Sequence, residues 1–179
     1  FLDYAPGEYR LSPDAFTSNN VEYYNTAFSL SELQDVIYST GHTSVGPDKL
    51  HYDFLRHIPE SAIRFILRTF NDLWLQHIFP EAWKEAIVIA IPKPGKNHQD
   101  PSNYRPISLT SCLGKIFERM VGRRLEWFLE ENNLLSAYQS GFRKHHSTLD
   151  HVIRLETDIR KGFKFKKHTT AVFLDIARA

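Results

Sequence analysis

Cysteine is almost missing: Cys112 is the only one in 179 residues. No internal disulfide can staple the fold, and the chain reads as intracellular and free of a structural zinc site. Nine histidines are present, but none forms an HExxH pattern. No apolar run approaches the roughly 20 residues of a membrane span. Asp3, Glu8 and Arg10 interrupt the first stretch, which excludes a signal peptide there. Gly95-Lys96 lacks the spaced glycine and the following Ser or Thr of a P-loop. There is no G-x-S-x-G, and no carboxylate pair at helical spacing that calls for acid–base chemistry. Charge of one sign is also scarce, since 22 Lys and Arg against 21 Asp and Glu leave a net +1. Any surface for a polyanion must therefore be local.

What is present suits a packed domain, with 42% hydrophobic and 13% aromatic residues. Residues 1–26, rich in Pro, Asn, Ser and Tyr, read as a linker or arm, and residues 27–179 as part of a domain. Ser31 and Gln34 predict a capping box for a short helix burying Leu33, Val36 and Ile37. Gly46-Pro47-Asp48 predicts a turn, with Asp48 capping a helix that carries Leu50, Phe54 and Leu55. From Pro59 to Phe79, the residues Ile63, Ile66, Leu67, Phe70, Trp74 and Ile78 recur at helical spacing. The unbroken run Ala86 to Ile91 predicts a strand buried on both faces. It returns, after a loop opened by Pro94-Gly95, as Tyr104 to Leu109. Leu113 to Asn132 predicts a helix with Ile116, Phe117, Met120, Val121 and Leu125 inside, and with Lys115, Arg119, Arg123 and Arg124 on an outer face of local ion pairs. Ser147 and Asp150 start a last helix with Leu149, Val152, Ile153 and Ile159 on its inner face. Arg160 to His168 reads as a basic loop, and Ala171 to Leu174 as a short strand delivering Asp175.

Three places carry candidate chemistry. Lys93, Lys96 and Arg105 stand at or beyond the strand ends, where they either reach over a polyanion or decorate an ordinary solvated tip. Arg143 and Lys144 precede a helix N-terminus that favours anions, so Arg143 either meets a phosphate or pairs with a neighbouring carboxylate. Asp175, at the end of an apolar run, is either an oxygen ligand for a hard cation or a cap.

The segments W-K-E-A-I-V-I-A-I-P-K-P-G-K (83–96) and Y-R-P-I-S-L (104–109), with K-I-F-E (115–118), Q-S-G-F-R (139–143) and V-F-L-D-I (172–176), occur in an ordered series. Taken together they resemble the reverse transcriptases of non-long-terminal-repeat, LINE-type retrotransposons of the jockey group. The resemblance implies an α+β fold, the fingers of a right-hand polymerase with the first palm strand. It implies RNA-directed DNA polymerisation with Mg²⁺ or Mn²⁺, on an RNA template, a DNA primer and deoxynucleoside triphosphates. By motif match Asp175 and the carbonyl of Ile176 become metal ligands. Arg105, Lys93, Lys96 and Ile176 take the nucleotide, and Arg143 and Lys144 the nucleic acid. No membrane is implied; a neighbouring endonuclease domain and a nuclear reaction for the parent element are. Both ends read as cuts in a longer polypeptide, and the later catalytic aspartates of the family pattern are absent. These residues alone are expected not to polymerise, the other reading being a non-catalytic nucleic-acid-binding remnant.

Overall fold

The computed structural model describes residues 22–41 and 44–175, in two compact units that meet between Phe128 and Leu129. The first is mainly helical with one hairpin. Helix α1, Leu30–Ser39, starts at Ser29, whose hydroxyl accepts the Glu32 amide while Glu32 Oε2 accepts the Ser29 amide at 2.7 Å. The cap thus lies two residues before the predicted Ser31–Gln34 pair. Both serines offer the right spacing, and the one with a carboxylate three residues on wins, because an anion suits the positive helix end better than an amide. Leu33, Val36 and Ile37 are buried as predicted.

Helix α2, Tyr52–His57, is capped by the His51 ring and not by Asp48. It buries Tyr52 and Leu55 and leaves Phe54 exposed. Helix α3, Glu60–Leu75, buries Ile63 and Phe70. It ends before the predicted Phe79, since His77 turns left-handed at φ 56°, and Ile78 is 46% exposed. A single turn, α4 (Glu81–Lys84), leads into the hairpin. Strand β1, Ala86–Pro92, pairs antiparallel with β2, Tyr104–Thr110, with Ile91 opposite Arg105 and Ile89 opposite Ile107. Helix α5, Cys112–Glu131, then closes the core with Cys112, Ile116, Phe117 and Met120. Phe70, Phe79 and Trp83 pack their rings on Phe117.

The hairpin stands where the sequence predicts it in the chain, but not in the predicted surroundings. Every residue of β1 is exposed, Val88 at 63%, where burial on both faces was predicted. A continuous β-branched run signals a strand that calls for cover, and among the described residues no third strand joins the sheet.

The second unit contains α6, Thr148–Lys164, with the predicted Ser147–Asp150 capping box. Its apolar side is not an inner face: no residue of α6 is buried, and Leu149, Val152 and Ile153 are more than half exposed. The first part of the predicted basic loop is helical through Lys164. Ala171 to Leu174 form no strand, and Val172, Phe173 and Leu174 are exposed at 76%, 84% and 93%. A strand needs a partner to satisfy its amides and carbonyls, and this segment has none among the described residues.

Candidate nucleotide and nucleic-acid interface

The hairpin loop is closed on itself. The Lys93 amide donates to the Asn103 carbonyl at 2.8 Å, extending the ladder by one step. Gly95, at φ +70°, makes the turn that returns the Lys96 amide to the Lys93 carbonyl. Asp100 accepts both the amide and the hydroxyl of Ser102, which lowers its pKa. The Tyr104 hydroxyl donates to His98, and the Asn103 side chain to Asn97. Against this frame the three predicted cations differ. Lys93 Nζ donates to the Ser102 carbonyl at 3.0 Å and so braces the loop. Lys96 and Arg105 are exposed, and among the described residues their side chains have no partner. Arg105 shares a hairpin face with Ile91, Ile89 and Ile107, because partners in register lie on one side and alternate residues repeat it.

Sequence reasoning missed what fixes the root of this hairpin. Asp48 Oδ2 accepts the Ser111 hydroxyl at 2.8 Å and the Cys112 amide at 2.6 Å, while Oδ1 accepts the Leu50 amide at 3.2 Å. Asp48 is a cap after all, but of α5, more than 60 residues downstream. Gly46 makes the approach feasible: a Cβ there would collide with the Thr110 carbonyl at the end of β2. Just before the other strand, Trp83 of α4 lies over Gly114, where a Cβ would stand 3.2 Å from Trp83 Cβ. Both hairpin ends are thereby held on one turn of α5. Burial pushes the Cys112 thiol up to about 11, and the Asp48 charge adds to it.

Arg124, predicted to lie on the outer face of α5, is 8% exposed. It forks onto Glu32 at 2.8 and 2.9 Å, donates to the carbonyls of Tyr24, Thr26 and Ala27, and lies over the Phe28 ring at 4.2 Å. Residues 24–28 are thus held on α5. Burial works to raise Glu32, but Arg124 and the Ser29 amide and hydroxyl outweigh it and hold the carboxyl below its ordinary range.

In the second unit, Arg143 takes a carboxylate partner. Its guanidinium meets Glu130 at 2.8 and 2.6 Å and the carbonyls of Ser136 and Gln139. The pair lowers Glu130 and raises Arg143. Lys144 beside it is exposed. Asp175 is exposed as well, and Ile176 lies outside the described residues. Among the described residues no three His, Cys, Asp or Glu side chains converge on a point where a metal ion could sit. A divalent cation needs several oxygen ligands, so Asp175 by itself is not a cation site.

An exposed, braced hairpin with two unpartnered cations is a form suited to an anionic ligand, and similarity to known proteins gives its class. Residues 91–179 match the family described as reverse transcriptase (RNA-dependent DNA polymerase). The chain belongs to that family. Its relatives are enzymes of jockey-like and other non-long-terminal-repeat retrotransposons. A probable RNA-directed DNA polymerase from transposon BS of Drosophila melanogaster is 38% identical over 136 residues, 76% of this chain and 15% of the relative. One from transposon X-element of the same species is 33% identical over 155 residues, 86% of this chain and 17% of the relative. The RNA-directed DNA polymerase from its mobile element jockey is 30% identical over 181 residues, 96% of this chain and 20% of the relative. The chain therefore spans between 15% and 20% of the length of these relatives. Reverse transcriptases generally use divalent metal ions and act on an RNA template with nucleotide substrates.

Proposed function

We propose that this chain is the nucleotide-gripping part of an RNA-directed DNA polymerase, its hairpin the fingers and residues 171–175 the entry to the palm. The observation that carries the reading is the hairpin itself: the family match begins at Ile91, near the end of its first strand, and Arg105 and Lys96 project from it without a partner among the described residues. In this reading Arg105 and Lys96 take the oxygens of the incoming triphosphate. Charge-assisted hydrogen bonds from a pre-formed frame offset the charge that gathers on the leaving pyrophosphate. Lys93, bonded to the Ser102 carbonyl, positions the loop and touches the ligand only if that bond opens. Lys144 lies toward the nucleic acid. Arg143 ties the Ser136 and Gln139 carbonyls to Glu130, so its contribution to binding is indirect.

Asp175, with the carbonyl of Ile176, would contribute donors to the divalent cations of the assembled enzyme. The sequence supplies one carboxylate of the three that the family resemblance assigns. These 179 residues by themselves are therefore a binding unit without polymerase activity. The parent enzyme's reaction takes place in the nucleus, on an RNA template and a DNA primer.

The test is a chimera in which this chain replaces the corresponding segment of the jockey enzyme, assayed for deoxynucleotide addition on a primed RNA. The wild-type chimera is expected to extend primers, Asp175→Ala to abolish extension, and Arg105→Ala to raise the KM for nucleotide at least tenfold. A folded chimera that binds primer-template and never extends it assigns the chain to the binding-only class.

A further inference from the structure

Three cations of α5 remain once Arg124 is taken into the core. Lys115, Arg119 and Arg123 recur every four residues, so they climb one side of the helix about 6 Å apart. They do not form the ion-paired surface predicted for them: among the described residues none of the three makes an ion pair. Their hydrogen bonds go to neutral oxygens. Lys115 Nζ reaches the Ser44 carbonyl at 3.5 Å, Arg119 the Thr40 hydroxyl at 2.5 Å, and Arg123 the Ser39 hydroxyl at 2.7 Å. Nor does the C-terminus of α1 need them, because Arg56 already donates to the carbonyls of Ile37 and Thr40.

An independent feature points to the same place. Gly122 lies between the two arginines, inside a 20-residue helix and exposed. Glycine weakens a helix interior relative to alanine, and here the fold gives no return for it. Beyond its chain neighbours and the helix's own backbone, no atom lies within 4 Å of where its Cβ would stand. What Gly122 does leave is room, for it lines an open surface groove of about 410 Å³ together with the three cations and Tyr52. Glu118 and Glu126 line it too, which narrows the positive strip to a single row.

We propose that this row is a track for the sugar–phosphate backbone of one nucleic-acid strand, with Gly122 letting that strand approach the helix closely. Cations at a regular rise suit a regularly spaced polyanion, and the flanking carboxylates disfavour a broad one such as a duplex or a lipid surface. The track goes beyond the fingers reading, since it lies on α5 and holds whether or not the chain takes part in polymerisation.

The experiment uses the whole 179-residue chain and dye-labelled oligouridine and oligothymidine, with affinity followed by anisotropy across a salt series. Arg119→Ala/Arg123→Ala is expected to flatten the dependence of log K on log salt by about 1.4, from about 0.7 per phosphate released on a single strand. Lys96→Ala/Arg105→Ala in the hairpin removes its own share and leaves that difference intact. Gly122→Gln is expected to raise the thermal midpoint by about 2 °C, because a good helix former replaces glycine in open space, and to weaken both oligonucleotides at least fivefold. The track is overturned if Gly122→Gln stabilises the fold and binds as tightly as wild type. It is equally overturned if the arginine pair leaves the salt slope unchanged, or if duplex DNA, inorganic polyphosphate or phosphatidylserine vesicles bind as well as the single strands.

Discussion

Arg124 and Glu32 are sensitive positions in this fold, because removing either leaves the other as an uncompensated, partly buried charge. Arg124→Met leaves Glu32 half-buried and frees three carbonyls, a change of the kind that costs about 3 kcal/mol, measurable as a shift in the urea midpoint. The pH dependence follows from Glu32, whose folded pKa lies below its ordinary 4.5. Its contribution is fully present above pH 4.5 and is lost as pH falls through the lower folded value. Glu32→Gln is expected to lower stability at pH 7 and to flatten the acid limb below pH 4.5 in urea melts. Gly46→Ala, at a position where a methyl meets the Thr110 carbonyl, is expected to destabilise by about 3 kcal/mol, read from the same melts. Arg124 was legible in part: it falls on the stripe Phe117, Met120, Arg124, Phe128, so spacing pointed inward while residue type pointed out. Asp48 was legible as a cap, but its target lies 63 residues away in the hydrogen bond to Ser111, and no local pattern encodes that.

Elements whose stability is local were the ones read best. The Ser147–Asp150 box, the break after α5 and the two hairpin strands all lie where composition put them. What covers an element was not legible, since periodicity states that a face is apolar and not what meets it. Both β1 and α6 were given burial that the described residues do not provide. Helix α6 accordingly depends on its cap and on pairs such as Arg160 with Glu156. Ser147→Ala is expected to cost it about 1 kcal/mol, seen as faster amide exchange over the first two turns of α6 with α3 unchanged.

For the chain as a whole, the exposed apolar surface decides behaviour in solution. Ile87, Val88, Ile89 and Ile91 on the hairpin, and Val172 to Leu174 near the other end, are left open to water. Among the described residues both hairpin strands are also sheet edges, which invites pairing between molecules. The apparent melting temperature is expected to fall as protein concentration rises, with light scattering growing in step; a sharp, reversible melt independent of concentration would count against this.

The long reach of α5 has a consequence for how the chain is made. Leu33, Val36 and Ile37 leave the ribosome about 80 residues ahead of Ile116, Phe117 and Met120, the side chains that close over them. At about 5–20 residues per second, the first helices spend about 4–16 s as an open half-core with Glu32 lacking its guanidinium. The Asp48 contact waits somewhat less, since 63 residues separate it from Ser111. Synthesis therefore exposes this unit's apolar faces for seconds before α5 arrives, an interval in which a holding chaperone would bind it.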